Sequence, residues 1–287
     1  SLLFRLKPED KRPVAALLSI YGVVIIFWAI FKQNGTALTT WAESYTDREL
    51  PAAMVAPAKQ LGMVQDVTLT KDTITLTDEQ FRAVKDADGK VAKTYDFPSY
   101  YRNLPRDHWP EEGGTTHLLS TEIFQSINPF FVVALTPLVV AAFAFLRRRN
   151  KEPSTPGKIF LGLLITALST LLMVGAVYAG GNGAEKVSGW WLVGTYGVIT
   201  IGELCLSPMG LSLVSKLSPP RITALMMGGW SLATSIGNKM SGVLASLWDS
   251  YSHKASFFWV NCVVSLIAAL AILAMLKWLR KIVAEHT

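Results

Sequence analysis

Apolar residues dominate six long runs of the chain, at 14–41, 119–146, 158–180, 189–216, 221–248 and 255–278. A hydrocarbon core about 30 Å thick is crossed by about 20 consecutive, mostly apolar residues in helical form. Each run is long enough, and the six are named spans a to f in order. Polar positions inside them recur at helical spacing. Span d carries Tyr196, Thr200, Glu203 and Ser207, span e carries Trp230, Thr234, Asn238 and Ser241, and span a carries Trp28, Lys32, Thr36 and Thr39. Offsets of three and four place each set on one helix face. Span b adds Gln125, Asn128 and Thr136, with Pro129 and Pro137 in the same run. Spans c and f carry little beyond scattered Ser, Thr and Tyr, which suits surface facing lipid. Four striped spans and two plain ones predict a water-filled cavity lined by a, b, d and e.

Three ionisable residues fall well inside spans: Lys32, Glu203 and Lys239. A charge in hydrocarbon costs roughly 2.5 to 3.5 kcal/mol on insertion scales, so each is a functional candidate. The competing explanation is that polar stripes only join helices, through hydrogen bonds of about 0.6 kcal/mol each. It suits Ser, Thr and Asn better than Glu203, because a central carboxylate gains nothing from packing. Ser207-Pro208 with Gly210, and Asn128-Pro129, are expected to interrupt their helices at membrane depth, as happens near transporter binding sites.

Composition agrees with the pattern. Hydrophobic residues make up 51% of 287 and charged residues 17%, where a soluble protein has roughly 25% charged. That makes two ordinary soluble domains of about 150 residues the wrong reading of the length. The net charge of +6 is uneven, since residues 47–118 hold twelve acids and nine bases. A basic total with an acidic island is no nucleic-acid footprint, and Cys205 and Cys262 are too few for a disulfide framework or zinc cluster.

Arginine and lysine set the expected topology. Four bases precede span a (Arg5, Lys7, Lys11, Arg12), five lie between b and c (Arg147, Arg148, Arg149, Lys151, Lys158), Lys216 and Arg221 separate d from e, and Lys277, Arg280 and Lys281 end f. The opposite short loops hold Lys186 and Lys254. The positive-inside rule puts both ends in the cytoplasm and residues 47–118 outside. The expected domains are a cytoplasmic linker (1–13), the first span (14–46), an extracytoplasmic insert (47–118), and the remaining spans with a cytoplasmic C-terminus (119–287). A start at Ser1, with no signal peptide before the charged stretch 4–12, suggests a piece of a longer protein.

The insert is too long for a simple connection. Alternation at 67–69 and 73–76, the Asp88-Gly89 turn signal and aromatic residues at 95–101 predict a small β-rich or irregular unit. His108 and His117 stand apart from other catalytic groups and read as surface histidines. Ser212 and Ser215 beside Lys216 read as interfacial anchoring. No metal, cofactor or enzymatic chemistry is expected.

Three segments together resemble a known family. The runs Phe27-Trp28-Ala29-Ile30-Phe31-Lys32-Gln33, Phe124-Gln125-Ser126-Ile127-Asn128-Pro129 and Gly202-Glu203-Leu204-Cys205-Leu206-Ser207-Pro208-Met209-Gly210-Leu211-Ser212 are similar to the seventh, eighth and tenth helices of proton-dependent oligopeptide transporters. Lys216-Leu217-Ser218-Pro219 and Gly229-Trp230 continue the likeness into the eleventh. It covers the six spans and leaves out the insert. The resemblance implies an all-α polytopic membrane protein, with six transmembrane helices forming the C-terminal bundle of a major facilitator fold. The implied function is symport of protons with di- and tripeptides across the cell (plasma) membrane, with the N-terminal six-helix half and the lipid bilayer as further partners.

The resemblance also implies residue roles. Glu203 would bind the peptide's amino group, Asn128 its backbone or terminus, and Trp28 and Trp230 would shape side-chain pockets, with Ser207 and Thr234 as further contacts. Gln33 and Asn34 would line the extracellular gate, and the intramembrane cations Lys32 and Lys239 are candidates for gating or coupling. Two features depart from the family. Lys32 stands near a position where members commonly carry an acid, so its partner would be an acid of the other half, Glu43 or Glu122, unless coupling runs through other groups. The first-helix Glu-x-x-Glu-Arg-Phe-x-Tyr-Tyr signature is absent, and with it the basic partner for the peptide carboxylate. Alternatives to peptide symport are transport of nitrate or another non-peptide substrate, and a membrane-anchored binding or scaffolding module acting through residues 47–118.

Overall fold

The computed structural model describes residues 7–286, the side chains of Asn34 and His286 excepted. Residues 1–6, which hold Arg5 and the start of the expected linker, lie outside the described residues. Helix α1 (Pro8–Phe31) begins with proline in its first turn and with Glu9 and Asp10 beside the N-terminal dipole. Residues 8–13, expected as linker, are therefore helical. The first span is not one helix. Lys32–Gly35 forms a single 3-10 turn, Thr36 leaves helical geometry at φ −131° and ψ −96°, and α2 (Ala37–Tyr45) resumes beyond it. Asn34-Gly35 is a turn-forming pair that weakens the helix there, and the Gln33 side chain takes over part of the hydrogen bonding.

The insert contains β1 (Thr46–Asp47), α3 (Ala52–Gln60), β2 (Val64–Thr68), β3 (Asp72–Thr75), β4 (Lys93–Asp96) and β5 (Thr115–Leu119). Strands β2 and β5 pair antiparallel, as do β3 and β4. Asp88-Gly89 makes the expected turn, with Gly89 at φ +77° and its N–H donating to the Asp86 carbonyl. Leu69, Tyr100, Tyr101 and Leu118 form a small core, flanked by Phe97 and Trp109.

The remaining elements are α4 (Thr121–Arg148), α5 (Thr155–Ala179), β6 (Val187–Ser188), α6 (Trp190–Leu217), α7 (Thr223–Ser246) and α8 (Lys254–His286). Strand β6 pairs in parallel with β1, which ties the end of α2 to the α5–α6 connection. Helix α5 packs along α6 and α8, α1 along α7 and α8, and α4 along α6. Gly162 of α5 and Gly202 of α6 allow a close approach, because a Cβ on either would come within 2.8 to 2.9 Å of the other's carbonyl oxygen.

Five helices, α1, α4, α5, α6 and α8, are long and apolar enough to cross a membrane. Helix α7 has 24 residues, but Gly228, Gly229, Ser231, Thr234, Ser235, Gly237, Asn238 and Lys239 dilute its apolar character. Helices α5 and α8 keep exposed apolar edges at Leu168, Val263, Ile267 and Leu270, as polar-poor sequences predict. Helix α4 is barer still, with none of its apolar stretch buried, and α7 exposes Leu225, Leu232 and Val243.

The helices run unbroken through Pro129, Pro137 and Pro208, which corrects the expected interruptions. The interruption falls instead at Lys32–Gly35.

Candidate functional site

Glu203 lies in the middle of α6, half-buried. One turn earlier, Thr200 is fully buried and its hydroxyl donates to the Tyr196 carbonyl at 2.6 Å. That fixes the hydroxyl oxygen as an acceptor towards α4. Asn128 supplies the donor, its Nδ2 reaching Thr200 Oγ1 at 2.9 Å and the Glu203 carboxylate at 3.5 Å. The amide is thus held by one firm contact and turned towards the carboxylate by a second, longer one. Glu203, Asn128 and Thr200 form a compact polar group between two helices, and the Glu203 carboxylate retains acceptor capacity.

Lys32 opens the 3-10 turn at the end of α1 with its side chain exposed. Its Nζ lies over the Trp28 ring at 5.4 Å and near the Phe31 ring at 5.8 Å, within cation–π range. Among the described residues no ion pair involves Lys32, so neither Glu43 nor Glu122 partners it. Trp28 is half-buried, with an indole N–H that finds no acceptor among the described residues.

Other expected site residues are placed differently. Trp230 is 6% exposed and stands edge-on to Tyr21 at 6.2 Å. Its ring occupies the space that a side chain on Gly210 would need, so α6 and α7 meet through an indole set against a glycine. Trp230 is a packing residue of the bundle core rather than an open pocket wall. Gln33 is 4% exposed; its Nε2 donates to the Ala29 and Ser241 carbonyls at 3.1 and 3.2 Å and its Oε1 accepts from Thr36. It joins α1 to α7 at the helix break. The side chain of Asn34, in the same turn, is outside the described residues.

Thr234 is partly buried and its hydroxyl donates back to the Trp230 carbonyl at 3.1 Å. The Ser207 hydroxyl is buried with no partner among the described residues. Lys239 is exposed on α7 and makes no ion pair among them. The structure therefore gathers Glu203 and Asn128, sets Lys32 against Trp28, and leaves Trp230 and Gln33 to helix packing.

One residue of this region was read for another role, Gly210 as part of an expected interruption, and one, Tyr21, escaped the sequence reading. Gly210 is the seat of Trp230, and Tyr21 braces α7 by donating from its hydroxyl to the Met226 carbonyl at 2.6 Å. The signal for Tyr21 was its position seven residues before Trp28, on the same helix face.

Two charges outside the spans have close partners. Glu152 accepts from Arg147 and Lys158 at 2.6 and 2.5 Å, and the Arg147 bond, then the Lys158 bond, bring its carboxyl down to about 2. Lys186, in the α5–α6 connection, donates to the Ser44 carbonyl at 3.0 Å and lies 4.3 Å over the Tyr100 ring. Burial, then the nearby Arg48, lower its ammonium to about 7, against the pull of Asp47. Among the described residues no group of three or more His, Cys, Asp or Glu is placed to hold a metal ion.

Comparison with known proteins places this arrangement. The chain is 33% identical over 161 residues to the peptide transporter YePEPT of Yersinia enterocolitica, which covers 55% of this chain and 31% of that protein. It is 24% identical over 281 residues to the di-/tripeptide transporter of Lactococcus lactis, covering 98% and 44%. The chain thus spans less than half the length of these relatives. Its fold is similar to the crystal structure of a POT family transporter in complex with a thioalcohol-conjugated peptide, with a TM-score of 0.65 at 22% identity over 96% of this chain and 44% of the other. The sequence profile of the POT family matches residues 111–260, just over half of the 287, and the chain belongs to that family.

Proposed function

We propose that the chain is the C-terminal half of a proton-coupled symporter of di- and tripeptides, working by alternating access in the cell membrane. The observation that carries this reading is the Glu203 carboxylate, set mid-helix, steadied by Asn128 and left without an ion pair among the described residues. A carboxylate so placed suits a substrate ammonium, whose charge-assisted hydrogen bonds strengthen away from bulk water. The names of the Yersinia and Lactococcus relatives supply the substrate class.

In this reading α1 with α2, and α4 to α8, make six spans. Helix α7 counts among them because a polar helix is tolerated where it lines a water-filled cavity. Its exposed flank and that of α4 face the cavity and the N-terminal half. Both ends of the chain are cytoplasmic and residues 47–118 are outside. Basic residues from separate loops meet at one end of the bundle, where Arg280 donates to Ser154 and Arg221 pairs with Asp10. That clustering supports the orientation given by the positive-inside rule.

The test is peptide uptake by the intact transporter carrying Glu203→Gln. Losing one charge-assisted contact to the substrate should lower uptake about 10- to 100-fold at fixed surface amount. Unchanged uptake would overturn the assignment.

A further inference from the structure

We propose that residues 47–118 hold a binding site of their own, which takes a small carboxylate with an aromatic or apolar body. The site is separate from Glu203 and independent of the proposed transport function. A cavity of about 590 Å³ is bounded by the β3–β4 hairpin and by the segment that follows β4. That volume falls within the range of about 300 to 1,000 Å³ typical of small-molecule sites. Ile74 and Leu76 line it on the hairpin side, Phe97 and Trp109 on the other, and Asp96, Arg102 and Arg106 bring charge to it.

The two arginines are held in place without a ligand. Pro98 and Pro105 each precede a 3-10 turn, Ser99–Tyr101 and Arg106–His108, so that Arg102 closes the first turn and Arg106 begins the second. Between them Tyr101 is fully buried, its hydroxyl meeting the Val67 carbonyl and the Thr116 hydroxyl at 3.0 and 2.8 Å. The Arg102 guanidinium donates to the Thr77 hydroxyl at 2.9 Å and its carbonyl at 3.2 Å, and lies 5.2 Å from the Phe81 ring. The Arg106 guanidinium lies 3.9 Å over the Trp109 ring, whose indole N–H donates to the Leu104 carbonyl at 3.0 Å. A guanidinium stacked on a ring keeps its in-plane donors for a planar acceptor, which a carboxylate supplies in bidentate form.

The charge of the cavity runs against that of its surroundings. The insert holds twelve acids and nine bases, yet neither Arg102 nor Arg106 forms an ion pair among the described residues. Asp96 is the acid in the lining, and one of its oxygens accepts from the Phe97 N–H at 2.8 Å. Two guanidiniums against one carboxylate leave a single positive charge, which suits a monoanion better than a dianionic phosphate. Both arginines are exposed, so a ligand reaches them from solvent.

The experiment measures binding of N-acetylphenylalanine and of its C-terminal amide to the intact, purified transporter by isothermal titration calorimetry. Neither probe carries the ammonium assigned to Glu203, so the readout does not depend on the transport site. The acid should bind about 10- to 100-fold more tightly than the amide, the value of a charge-assisted hydrogen bond. Arg106→Gln should lower affinity for the acid by that factor and leave the amide nearly unchanged. Arg106→Lys, which keeps the charge and loses the planar fork, should fall between parent and Arg106→Gln. Removing residues 50–115 should abolish binding of both probes.

Four results would overturn the proposal. They are no saturable binding of the acid by the parent, equal affinity for acid and amide, parent-like binding by Arg106→Gln, and equal weakening of both probes in that variant, the mark of a merely structural arginine. Binding that survives the deletion lies in the helical bundle and overturns it as well.

Discussion

The charges outside the helical bundle and those within it are treated in opposite ways. Outside, several acids are paired: Asp66 meets His117 at 2.6 Å and Lys59 at 3.0 Å, Asp78 meets Arg82 at 2.6 Å, and Glu152 is held between Arg147 and Lys158. The His117 and Lys59 bonds keep the Asp66 carboxyl below its ordinary range. Inside, Lys32, Glu203 and Lys239 form no ion pair among the described residues. The paired acids Asp66, Asp78 and Glu152 lie outside the spans, and the three ionisable residues inside them, of which Lys32 and Lys239 are exposed and Glu203 is half-buried, are left open. Under the proposed function, the open set is the one that a substrate or the N-terminal half would complete.

Breaking one member of each class should separate transport from stability. Glu203→Gln should cost uptake as described above while leaving the thermal midpoint of the purified transporter equal or higher, because a neutral amide is cheaper to desolvate. Glu152→Gln should do the reverse, leaving uptake per folded molecule unchanged while stability falls by about 1 to 2 kcal/mol, since Lys158 loses its acid. The Glu152 carboxyl sits at about 2, below its ordinary 4.5, so its contribution is complete above pH 4.5 and disappears as pH falls towards about 2. Thermal unfolding of parent and variant across that window should converge at the acid end. A Glu152→Gln variant that kept full stability at pH 7 would remove the contrast.

The contrast was half legible in the sequence. Charge inside an apolar run is visible without coordinates, so Lys32, Glu203 and Lys239 stood out at once. Partnership was not visible, because Asn128 and Glu203 lie 75 positions apart and meet through helix packing. Trp230 shows the same limit. The family resemblance implied a pocket role for it, but the indole is seated on Gly210, a contact between two helices that periodicity cannot reveal. The break at Lys32–Gly35 was written in Asn34-Gly35 but masked by apolar residues on both sides, whereas the prolines of α4 and α6 promised interruptions and left the helices continuous.

The insert sharpens the comparison from the other side. It touches several outer connections: Asn103 donates to the Ser44 and Gly183 carbonyls, Arg82 to the Asp249 carbonyl, and Tyr45 to the Gln80 carbonyl. None of these contacts reaches Glu203 or Lys32. Its two ends are adjacent, since the Leu50 N–H donates to the His117 carbonyl and Glu49 bridges Leu118, so removing residues 50–115 closes across neighbouring backbone. Uptake by the shortened transporter should stay within about threefold of the parent, because insertions joined at surface positions are separable from the fold that carries them. Loss of uptake with normal folding would instead favour the insert as the working part.

Lys186 supplies the smallest and most specific test, because it is a half-buried base outside the spans that forms no ion pair among the described residues. Asp47, Arg48 and the Tyr100 ring are the groups that face it, and burial with Arg48 outweighs Asp47. Its ammonium sits at about 7, against an ordinary 10.5. Below pH 7 it is charged in both folded and unfolded chains, and the folded state bears the full penalty. Between about 7 and 10.5 the folded protein sheds the proton that the unfolded chain retains, so stability rises with pH across that interval. Lys186→Met should abolish this rise and increase the thermal midpoint by about 2 °C at pH 6.5, a gain that shrinks towards pH 10. If the variant and the parent instead keep a constant separation across that range, Lys186 is not titrating in the folded protein. It would then belong with the satisfied charges of the exterior, through its bond to the Ser44 carbonyl and its place over Tyr100.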